Sequence, residues 1–382
     1  MKRMNYVMLK EVCSINMGQS PDSDSYNENG EGVPFFQGNA DFGERYPITR
    51  KWCTTPTKMA EPEDILISVR APIGALNYAK EECCIGRGLA ALTPDKTKVS
   101  PEFIFWLLKA KNKELNGKGT GSTFKAIGRK VLEETLVPNI ALETQLEYSA
   151  ILEKVYVAIQ NRKEELVKLD NLIKARFVEL FGDITTANYK YETRKLGDVA
   201  NVGSSHRVFT TEFVEEGIPF YRGTEIGELA NGIKPTEPYY ISEEHYNRLA
   251  NDDTKPHIGD LLMPSICNKG QVWMVDTDEP FYYKDGRVLC ISPDRMIFDT
   301  KYLEYFMRAK TLVEYPKLGS GSTFAEFKIF LLKDIDVLIP PRELQEQFAD
   351  FVNQVDKSKV VVQKALDEAQ LLFDSLMQKY FG

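Results

Sequence analysis

One unit of sequence occurs twice in this 382-residue chain, and this repeat constrains the fold more than any other feature. Residues 121–124 read Gly-Ser-Thr-Phe, and the same four residues recur at 321–324, a shift of 200. Phe181-Gly182 recurs as Phe381-Gly382 at the same shift. Self-similarity of this kind predicts two copies of one structural unit, related as a pseudo-two-fold internal repeat.

The match between the copies weakens upstream but keeps its order. Residues 32–38 (Gly-Val-Pro-Phe-Phe-Gln-Gly) resemble residues 217–223 (Gly-Ile-Pro-Phe-Tyr-Arg-Gly), and residues 63–66 resemble residues 259–262. The upstream shifts differ from 200, so the loops between these anchors vary in length. A constant frame with variable loops is typical of two domains that recognise different targets.

The spacing of proline and glutamine before each long helical segment predicts a small offset between the copies. Pro138 and Gln145 are separated by the same number of residues as Pro340 and Gln347, at a shift of 202. We therefore expect a two-residue slip at the entry to the second helix.

Two long segments without proline or glycine, 143–181 and 343–381, predict two long helices, each about 58 Å long at 1.5 Å per residue. Apolar residues alternate spacings of three and four along both segments, which is typical of a coiled-coil seam rather than of a helix lying on a globule. Arg162 and Arg176 interrupt one seam and Lys359 the other, which favours a pairing other than a symmetric parallel one. The alternative is that both helices are ordinary members of one bundle. The predicted helix-pairing residues are Leu152, Val155, Ile159, Leu166, Leu169 and Ile173 in the first helix and Val352, Val355, Val362, Leu366, Phe373 and Leu376 in the second.

The segments before each Gly-Ser-Thr-Phe motif predict mixed domains of strands and short helices. Short apolar runs such as 65–69 and 272–275, separated by glycine-rich turns, indicate buried strands, and a helix is expected in each copy at 102–111 and 302–308. The predicted fold class is α+β: two mixed α/β domains separated by two long helices that pair as a coiled coil. The boundaries are 1–138 and 183–338 for the domains, and 139–182 and 339–382 for the helices.

Charge is unevenly distributed along the chain. The net charge of −8 speaks against a protein that simply coats DNA, because phosphate binding needs local positive charge. Residues 1–140 carry 19 Lys and Arg against 17 Asp and Glu, whereas residues 183–340 carry 18 against 25. Basic residues concentrate between 105 and 130. We therefore expect positive charge to act locally.

Cysteine usage and hydropathy indicate a cytoplasmic protein. None of the six cysteines forms a C-x-x-C pair, so we expect reduced thiols that pack as small hydrophobic residues. No uncharged apolar stretch of about 18 residues predicts a membrane span, and the first residues lack the apolar run of a signal peptide.

The chain resembles the specificity (S) subunits of type I restriction–modification systems over its whole length. The residues that carry the resemblance are 64–74 (Asp-Ile-Leu-Ile-Ser-Val-Arg-Ala-Pro-Ile-Gly), both Gly-Ser-Thr-Phe motifs, and the proline–glutamine entries to the two long helices. The first entry, Pro138-Asn139, departs from the pattern because it lacks the double proline of Pro340-Pro341.

The resemblance implies two target-recognition domains, each reading one half of a bipartite, gapped site in double-stranded DNA through the major groove. It implies that the long helices pair antiparallel, set the gap between the half-sites and dock two methyltransferase (modification) subunits. The assembly would methylate adenine, and with restriction subunits it would also cleave DNA. No cofactor is expected in this chain, because S-adenosylmethionine and ATP with magnesium belong to the partner subunits.

Catalytic motifs give no support for an enzyme. The Pro340-Pro341 pair lacks the Asn/Asp before it and the aromatic residue after it that an adenine methyltransferase needs, and no nucleotide-binding P-loop occurs. Pro293-Asp294 with Glu326-x-Lys328 matches a loose nuclease pattern in one copy, which we interpret as chance. Two alternatives remain: a coiled-coil scaffold that binds proteins without recognising DNA sequence, and a stand-alone nuclease or methyltransferase.

Candidate DNA-binding residues follow from the chemistry of bases and phosphates. Arg, Lys, Asn and Gln present the donors and acceptors that read base edges, whereas small hydroxyl residues and open backbone suit phosphates. The Ser and Thr residues of the motif segments could instead cap a helix. The base-reading candidates are Arg45, Lys58, Arg70, Arg87, Arg207, Arg222, Asn268, Lys269 and Arg287, and the phosphate candidates are Lys118, Thr120, Ser122, Thr123, Lys317, Ser320, Ser322 and Thr323.

Overall fold

A computed structural model of the chain describes residues 5–121, 125–250, 254–319 and 325–382. The chain divides into two compact units, which we call unit 1 (Met1–Glu164 and Val362–Gly382) and unit 2 (Glu165–Val361). Each unit therefore contains a domain together with one part of each long helix. Ser122, Thr123, Ser320, Ser322 and Thr323 lie outside the described residues.

Unit 1 contains two main sheets and a set of short helices. One sheet has four strands in the order β2-β10-β7-β8, the other has five in the order β3-β5-β4-β9-β6, and β1 pairs with β11. The strands are β1 (Tyr6–Met8), β2 (Cys13–Met17), β3 (Tyr26–Asn27), β4 (Val33–Phe36), β5 (Trp52–Cys53), β6 (Met59–Ala60), β7 (Ile65–Ser68), β8 (Leu76–Tyr78), β9 (Cys83–Ile85), β10 (Leu89–Pro94) and β11 (Leu136–Pro138). The helices are α1 (Leu9–Val12), α2 (Pro101–Ala110), α3 (Asn112–Gly117), α4 (Arg129–Glu133) and α5 (Leu142–Phe181), the last of which continues into unit 2.

Unit 2 has a corresponding set of elements. Its sheets have the orders β15-β22-β19-β20 and β16-β18-β17-β21, with the further pairs β14–β23 and β12–β13. The strands are β12 (Gly182–Asp183), β13 (Asn188–Tyr189), β14 (Thr193–Lys195), β15 (Ala200–Gly203), β16 (Phe213–Val214), β17 (Ile218–Tyr221), β18 (Tyr239–Ile241), β19 (Leu261–Pro264), β20 (Trp273–Met274), β21 (Tyr282–Tyr283), β22 (Val288–Pro293) and β23 (Asp336–Leu338). The helices are α6 (Leu196–Val199), α7 (Gly223–Ala230), α8 (Glu243–Leu249), α9 (Thr300–Glu314), α10 (Ile329–Lys333) and α11 (Arg342–Phe381), the last of which continues into unit 1.

The repeat in the sequence is a repeat of strand order. The antiparallel ladder β2-β10-β7-β8 of unit 1 has its counterpart in β15-β22-β19-β20 of unit 2. Each unit also has a parallel strand pair, β4–β9 in unit 1 and β17–β21 in unit 2. The predicted fold class, two mixed α/β domains with two long helices, is confirmed.

Every residue of strand β7 is buried, because the sheet is covered on both faces. Ile65 and Ile67 pack into a core that includes the apolar side of α2, whereas Leu66 packs into a separate cluster with Leu89 and Phe36. Successive side chains of a strand point to opposite faces, so a continuously apolar run is what a strand between two layers requires. The apolar run therefore explains why this segment forms a central strand.

The segments of the two long helices run antiparallel within each unit. In unit 1 the rings of Tyr148 and Tyr380 stack with centroids 3.8 Å apart, and Tyr156 lies 6.3 Å from Phe373. Residue numbers thus rise along α5 as they fall along α11.

Unit 2 shows the same direction of pairing. The Phe177 ring lies 5.4 Å from Phe348, and Lys359 Nζ lies 2.6 Å from Asp170 Oδ1. The ion pair shows how the polar interruption at Lys359 is accommodated. Arg176, another interruption, lies over the ring of Phe351 and also pairs with Glu179.

The predicted helix-pairing residues lie on the buried side of the long helices, but most of them also contact a domain core. Core residues of unit 1 include Leu152, Ile159 and Phe373, with Val155, Leu366 and Leu376 packed against them; core residues of unit 2 include Ile173, Val352 and Val355, with Leu169 packed against them. Val362 is buried and Leu166 is half-buried. The helices therefore form a wall of each core as well as a pair.

A buried glutamine anchors the start of each long helix, and it corrects the predicted offset. Gln145 accepts a hydrogen bond from the Ser100 N–H and donates to the carbonyls of Lys98 and Ile140. Gln345 makes the equivalent set of bonds, with the Asp299 N–H and the carbonyls of Ile297 and Pro340.

The equivalent glutamines are thus 200 residues apart, as are the strands β11 and β23 that precede them. Pro138 pairs with Tyr6 in unit 1, and Leu338 holds the corresponding place opposite Thr193 in unit 2. The predicted two-residue slip, which paired Gln145 with Gln347, is wrong. Buried hydrogen bonds fix this register, whereas the position of proline does not.

The six cysteines are free and buried. Burial raises the pKa of Cys13, Cys83 and Cys290 to about 12 and that of Cys267 to about 11.

We expect these thiols to react slowly in the folded protein, because the thiolate is the reactive form and burial suppresses it. A thiol reagent at pH 8 should label native protein far more slowly than protein in denaturant; rapid labelling of a native thiol would contradict the packing.

The folded state keeps the thiol protons between about pH 9 and pH 12, while the unfolded state releases them. Stability should therefore fall as pH rises through that window, which urea midpoints at pH 8 and pH 10.5 would measure.

Candidate nucleic-acid interface

In unit 1, the loops that follow strands β4, β7 and β9 meet where strands of the two main sheets end. Strands β4 and β9 are parallel, so Gln37 and Gly86, which follow their carboxyl ends, lie at the same end of the sheet. The backbone fixes this meeting point, because the Gly86 N–H donates to the Phe36 carbonyl at 2.8 Å and the Gly88 N–H donates to the Gln37 carbonyl at 3.1 Å. A side chain at residue 88 would place its Cβ 2.4 Å from that carbonyl oxygen, so the close approach requires glycine.

These loops enclose a small cleft, which we call cleft 1. It measures about 200 Å³ and is lined by Gln37, Gly38, Asn39, Arg70, Arg87 and Gly88. Two of the predicted base-reading residues, Arg70 and Arg87, therefore lie together, and both are exposed.

The segment after the first Gly-Ser-Thr-Phe motif lies beside cleft 1. Ile127 donates its N–H to the Val69 carbonyl at 2.9 Å, and Ala71 donates to the Lys125 carbonyl at 3.1 Å. In unit 2 the Phe327 N–H donates to the Ser265 carbonyl at 2.7 Å, which is the corresponding contact, with the donor 200 residues later and the acceptor 196 residues later. The residues that follow each motif thus contact the backbone just after the strand that ends at the cleft.

Unit 2 has a larger cleft in the corresponding place, which we call cleft 2. Strands β17 and β21 are parallel, and the Lys284 N–H donates to the Tyr221 carbonyl at 2.9 Å, as Gly86 does to Phe36 in unit 1. Cleft 2 measures about 580 Å³ and is lined by Arg222, Gly223, Thr224, Pro264, Ser265, Ile266, Asn268, Gln271, Lys284 and Arg287. Three predicted base-reading residues, Arg222, Asn268 and Arg287, are brought together here.

Carboxylates hold the two arginines of cleft 2. Arg222 donates from Nε and Nη2 to the two oxygens of Glu225, at 3.2 and 2.6 Å. Burial opposes ionisation of Glu225, but hydrogen bonds from the side chain and backbone of Arg222 outweigh it and lower the pKa of this carboxyl. Arg287 donates from Nη1 to Glu326 at 2.6 Å.

The remaining described candidates of unit 1 lie outside the lining of cleft 1. Arg45 pairs with Glu153 at 2.6 Å and lies over the Tyr78 ring. Lys58 is exposed, and its carbonyl accepts from the Ile85 N–H. Lys118 pairs with Glu114 at 2.6 Å, and Thr120 forms a backbone bridge with Ala126.

The remaining described candidates of unit 2 also lie outside cleft 2. Arg207 pairs with Asp285 at 3.2 Å. Lys317 pairs with Glu314 at 3.0 Å. Lys269 is exposed, and its N–H donates to the side chain of Gln271.

Sequence reasoning missed Gln37, Asn39 and Lys284 as cleft residues. The repeat contained the signal for Gln37, because residues 32–38 aligned with 217–223 place it opposite Arg222. Lys284 follows the second strand of a parallel pair, and a two-residue strand leaves no clear pattern in the sequence.

The loose nuclease pattern does not form a metal-binding cluster within the described ranges. Glu326 is bound by Lys328 and Arg287, and the hydrogen bond from Lys328 is the main cause that lowers its pKa. Asp294 accepts a hydrogen bond from the Met296 N–H. Among the described residues, no group of three His, Cys, Asp or Glu side chains could hold a metal ion. None of the helices in the described ranges combines the length and the apolar character needed to cross a bilayer.

The fold and the two clefts define a duplicated α+β protein whose units each combine a strand-end cleft with antiparallel segments of two long helices. The family model described as type I restriction modification DNA specificity domain matches residues 1–170 and 188–369. The chain belongs to this family.

Individual relatives agree with this assignment. A putative type I restriction enzyme MjaX specificity subunit from Methanocaldococcus jannaschii is 42% identical over 165 residues, which cover 43% of this chain and 39% of that relative. The match thus spans less than two thirds of that relative's length. The type I restriction enzyme MjaIX specificity subunit of the same organism is 24% identical over 339 residues, covering 82% of this chain and 76% of the relative.

A solved structure shares the fold. The crystal structure of a type I restriction–modification system S subunit from M. genitalium matches with a TM-score of 0.61 and 16% identity, covering 100% of this chain and 97% of that one.

Proposed function

We propose that this chain is the non-catalytic DNA sequence-specificity subunit of a type I restriction–modification complex, each unit reading one half of a bipartite, gapped site. The observation that carries the proposal is the pair of clefts at corresponding places of the two units, built on one backbone frame but lined by different side chains. A shared frame with different linings suits two readers with different targets.

The lining chemistry supports base recognition. Arginine, asparagine, glutamine and lysine supply the donors and acceptors that distinguish base pairs in the major groove, and both clefts contain such residues. The exposed arginines Arg70 and Arg87 in cleft 1 also bring positive charge to a chain with net charge −8.

The long helices have a separate role in the proposal. Residues 139–182 and 339–382 act as spacers that set the gap between half-sites and dock two methyltransferase subunits, while 1–138 and 183–338 are the target-recognition domains. The antiparallel pairing within each unit supports a rigid spacer, because each helix segment is held by aromatic contacts on its buried side. Restriction subunits would complete the complex, with S-adenosylmethionine and ATP with magnesium held by the partners. The assembly would act in the cytoplasm, where host DNA is accessible and buried thiols stay reduced.

The proposal predicts that the two half-sites can be changed independently. Replacing residues 1–138 by the equivalent domain of a relative with another specificity should change one half-site and leave the other half-site and the gap unchanged. Mapping methylated adenines in DNA from cells that express the chain with its methyltransferase subunit measures this directly.

Two outcomes would contradict the proposal. If the assembled wild-type complex methylates without sequence preference, the coiled-coil scaffold is the better description. If the exchange alters both half-sites, the model of two independent readers fails.

A further inference from the structure

The guanidinium group of Arg222 is held in one orientation by three contacts. Its Nε and Nη2 atoms donate side-on to the two oxygens of Glu225, and one of those oxygens also accepts from the Arg222 backbone N–H at 2.8 Å. The ring of Tyr239 lies 4.4 Å from the guanidinium carbon. Glu225 is itself buried, with its side chain 6% exposed, so it cannot move without repacking.

The opposite edge of the same group is available to a ligand. Glu225 accepts from Nε and Nη2 of Arg222 but not from Nη1, the Tyr239 side chain makes a further contact to the guanidinium, and 42% of the Arg222 side chain is exposed at the wall of cleft 2. Nη1 and the outer proton of Nη2 form a flat pair of parallel donors. The orientation of this pair is fixed before any ligand binds, so little side-chain entropy would be lost on binding.

Such a donor pair matches guanine better than it matches phosphate. In the major groove, guanine presents two acceptors, O6 and N7, and two-point contact with arginine is the commonest specific contact to a base. The carboxylate of Glu225 offsets the positive charge of Arg222, which weakens attraction to a phosphate but does not repel a neutral base edge.

The corresponding position in unit 1 carries glutamine. Gln37 directly follows β4 as Arg222 follows β17, and its backbone N–H donates to the carboxylate of Asp41 at 2.8 Å, as that of Arg222 does to Glu225. The Gln37 side chain is exposed in cleft 1, and no hydrogen bond of its amide is found in the part of the chain that the structure describes. Glutamine, like asparagine, can make paired contacts to adenine N6 and N7.

We propose that residues 37 and 222 are equivalent base-reading positions, at which Arg222 selects guanine and Gln37 selects adenine. The inference rests on the proposed function, since it assigns bases to the two half-sites. Glu225 is a positioning residue, because it acts on the base through Arg222.

The test uses the full complex with its methyltransferase subunit, and it compares methylation of a library of DNA sites by wild-type and variant chains. Arg222→Gln should replace a guanine preference at one position of one half-site by a preference for adenine or by none, with guanine discrimination falling roughly ten- to hundredfold. Gln37→Arg should produce the converse change, adenine to guanine, in the other half-site. Arg222→Lys retains the charge but loses the flat donor pair that Glu225 orients, so guanine discrimination should fall, although by less than in Arg222→Gln, because a lysine ammonium can also contact guanine O6 and N7.

Glu225→Gln should weaken guanine discrimination without changing the preferred base, because the arginine remains but its orientation is less fixed. Arg194→Gln is the matched control: it removes an exposed arginine of unit 2 that lies outside cleft 2, and the recognised sequence should stay the same. Thermal unfolding of each variant identifies any that fails to fold, and Arg222→Lys then carries the test.

The outcomes separate the inference from the proposed function. A wild-type complex without sequence preference overturns both. A sequence-specific wild-type complex whose site is unchanged by Arg222→Gln and Arg222→Lys overturns the inference alone. A uniform loss of activity on all sequences in Arg222→Gln, restored in Arg222→Lys, would identify a phosphate contact and also overturn it.

Discussion

Replacing Gln145 by leucine is expected to lower the free energy of unfolding by about 3–5 kcal/mol. The side chain is 1% exposed and satisfies three backbone groups, the Ser100 N–H and the carbonyls of Lys98 and Ile140. Each buried group left without a partner costs about 1–3 kcal/mol. Leucine has a similar volume, so the loss would report the hydrogen bonds rather than a cavity. Chemical denaturation of the full chain measures it.

Gln345→Leu should have a matching effect in unit 2, because Gln345 bonds the equivalent three backbone groups and is 0% exposed. Gln354→Leu is the control, since this glutamine is exposed on the same helix and its substitution should change stability by less than about 0.5 kcal/mol. If either buried-site variant is as stable as the control, the glutamines do not anchor the helices.

The sequence repeat was sufficient to predict two units of one fold, because equivalent apolar runs and glycine turns determine equivalent strands. It was not sufficient for the register at the helix entry. Prolines suggested a shift of 202, whereas the partners of Gln145 lie up to 47 residues earlier in the chain. Spacing alone cannot reveal which of two glutamines, Gln345 or Gln347, is buried against distant carbonyls.

The candidate site was predicted in part. Arg70, Arg87, Arg222, Asn268 and Arg287 line the two clefts. Which arginines line a cleft depends on how distant loops are brought together. The contacts between such loops leave no local pattern in one sequence.

Arg45 and Gln37 illustrate this limit, because Arg45 was predicted but lies outside cleft 1, whereas Gln37 lines cleft 1 but was not predicted. Arg45 pairs with Glu153, which lies 108 residues away. Gln37 was not among the candidates, although glutamine was counted among the base-reading residue types and its place opposite Arg222 in the repeat marks it.

The pairing seam of the long helices was predicted from alternating apolar residues, but aromatic residues beside that seam make much of the attachment to the domains. Phe177 illustrates this, because it packs against Tyr302, Tyr305 and Phe306 of α9 as well as against Phe348 of α11. A seam that serves a domain core and a partner helix together is wider than a coiled-coil seam. The spacing of three and four therefore identified the buried side but not its full width.

Phe177→Ala is expected to destabilise unit 2 by about 3–5 kcal/mol, as removal of a fully buried aromatic side chain typically does. The ring is 2% exposed and its neighbours come from both long helices and from α9, so they cannot collapse into the space without shifting α5. Denaturant unfolding followed by circular dichroism measures the loss. Val178→Ala is the matched control, because its side chain is 44% exposed one position along the same helix and should cost far less.

Phe177→Leu separates the contributions of volume and ring contacts. Leucine restores most of the buried apolar area but none of the aromatic contacts, so it should recover more than half of the loss. Equal stability of Phe177→Ala and Val178→Ala would mean that α5 is not held to unit 2 through this ring. A large loss of stability in Phe177→Ala, with an unchanged DNA sequence preference in the complex that still assembles, would assign Phe177 a purely structural role. Recognition of the DNA sequence would then depend on the clefts, and the long helices and domain cores would serve to hold the clefts in place.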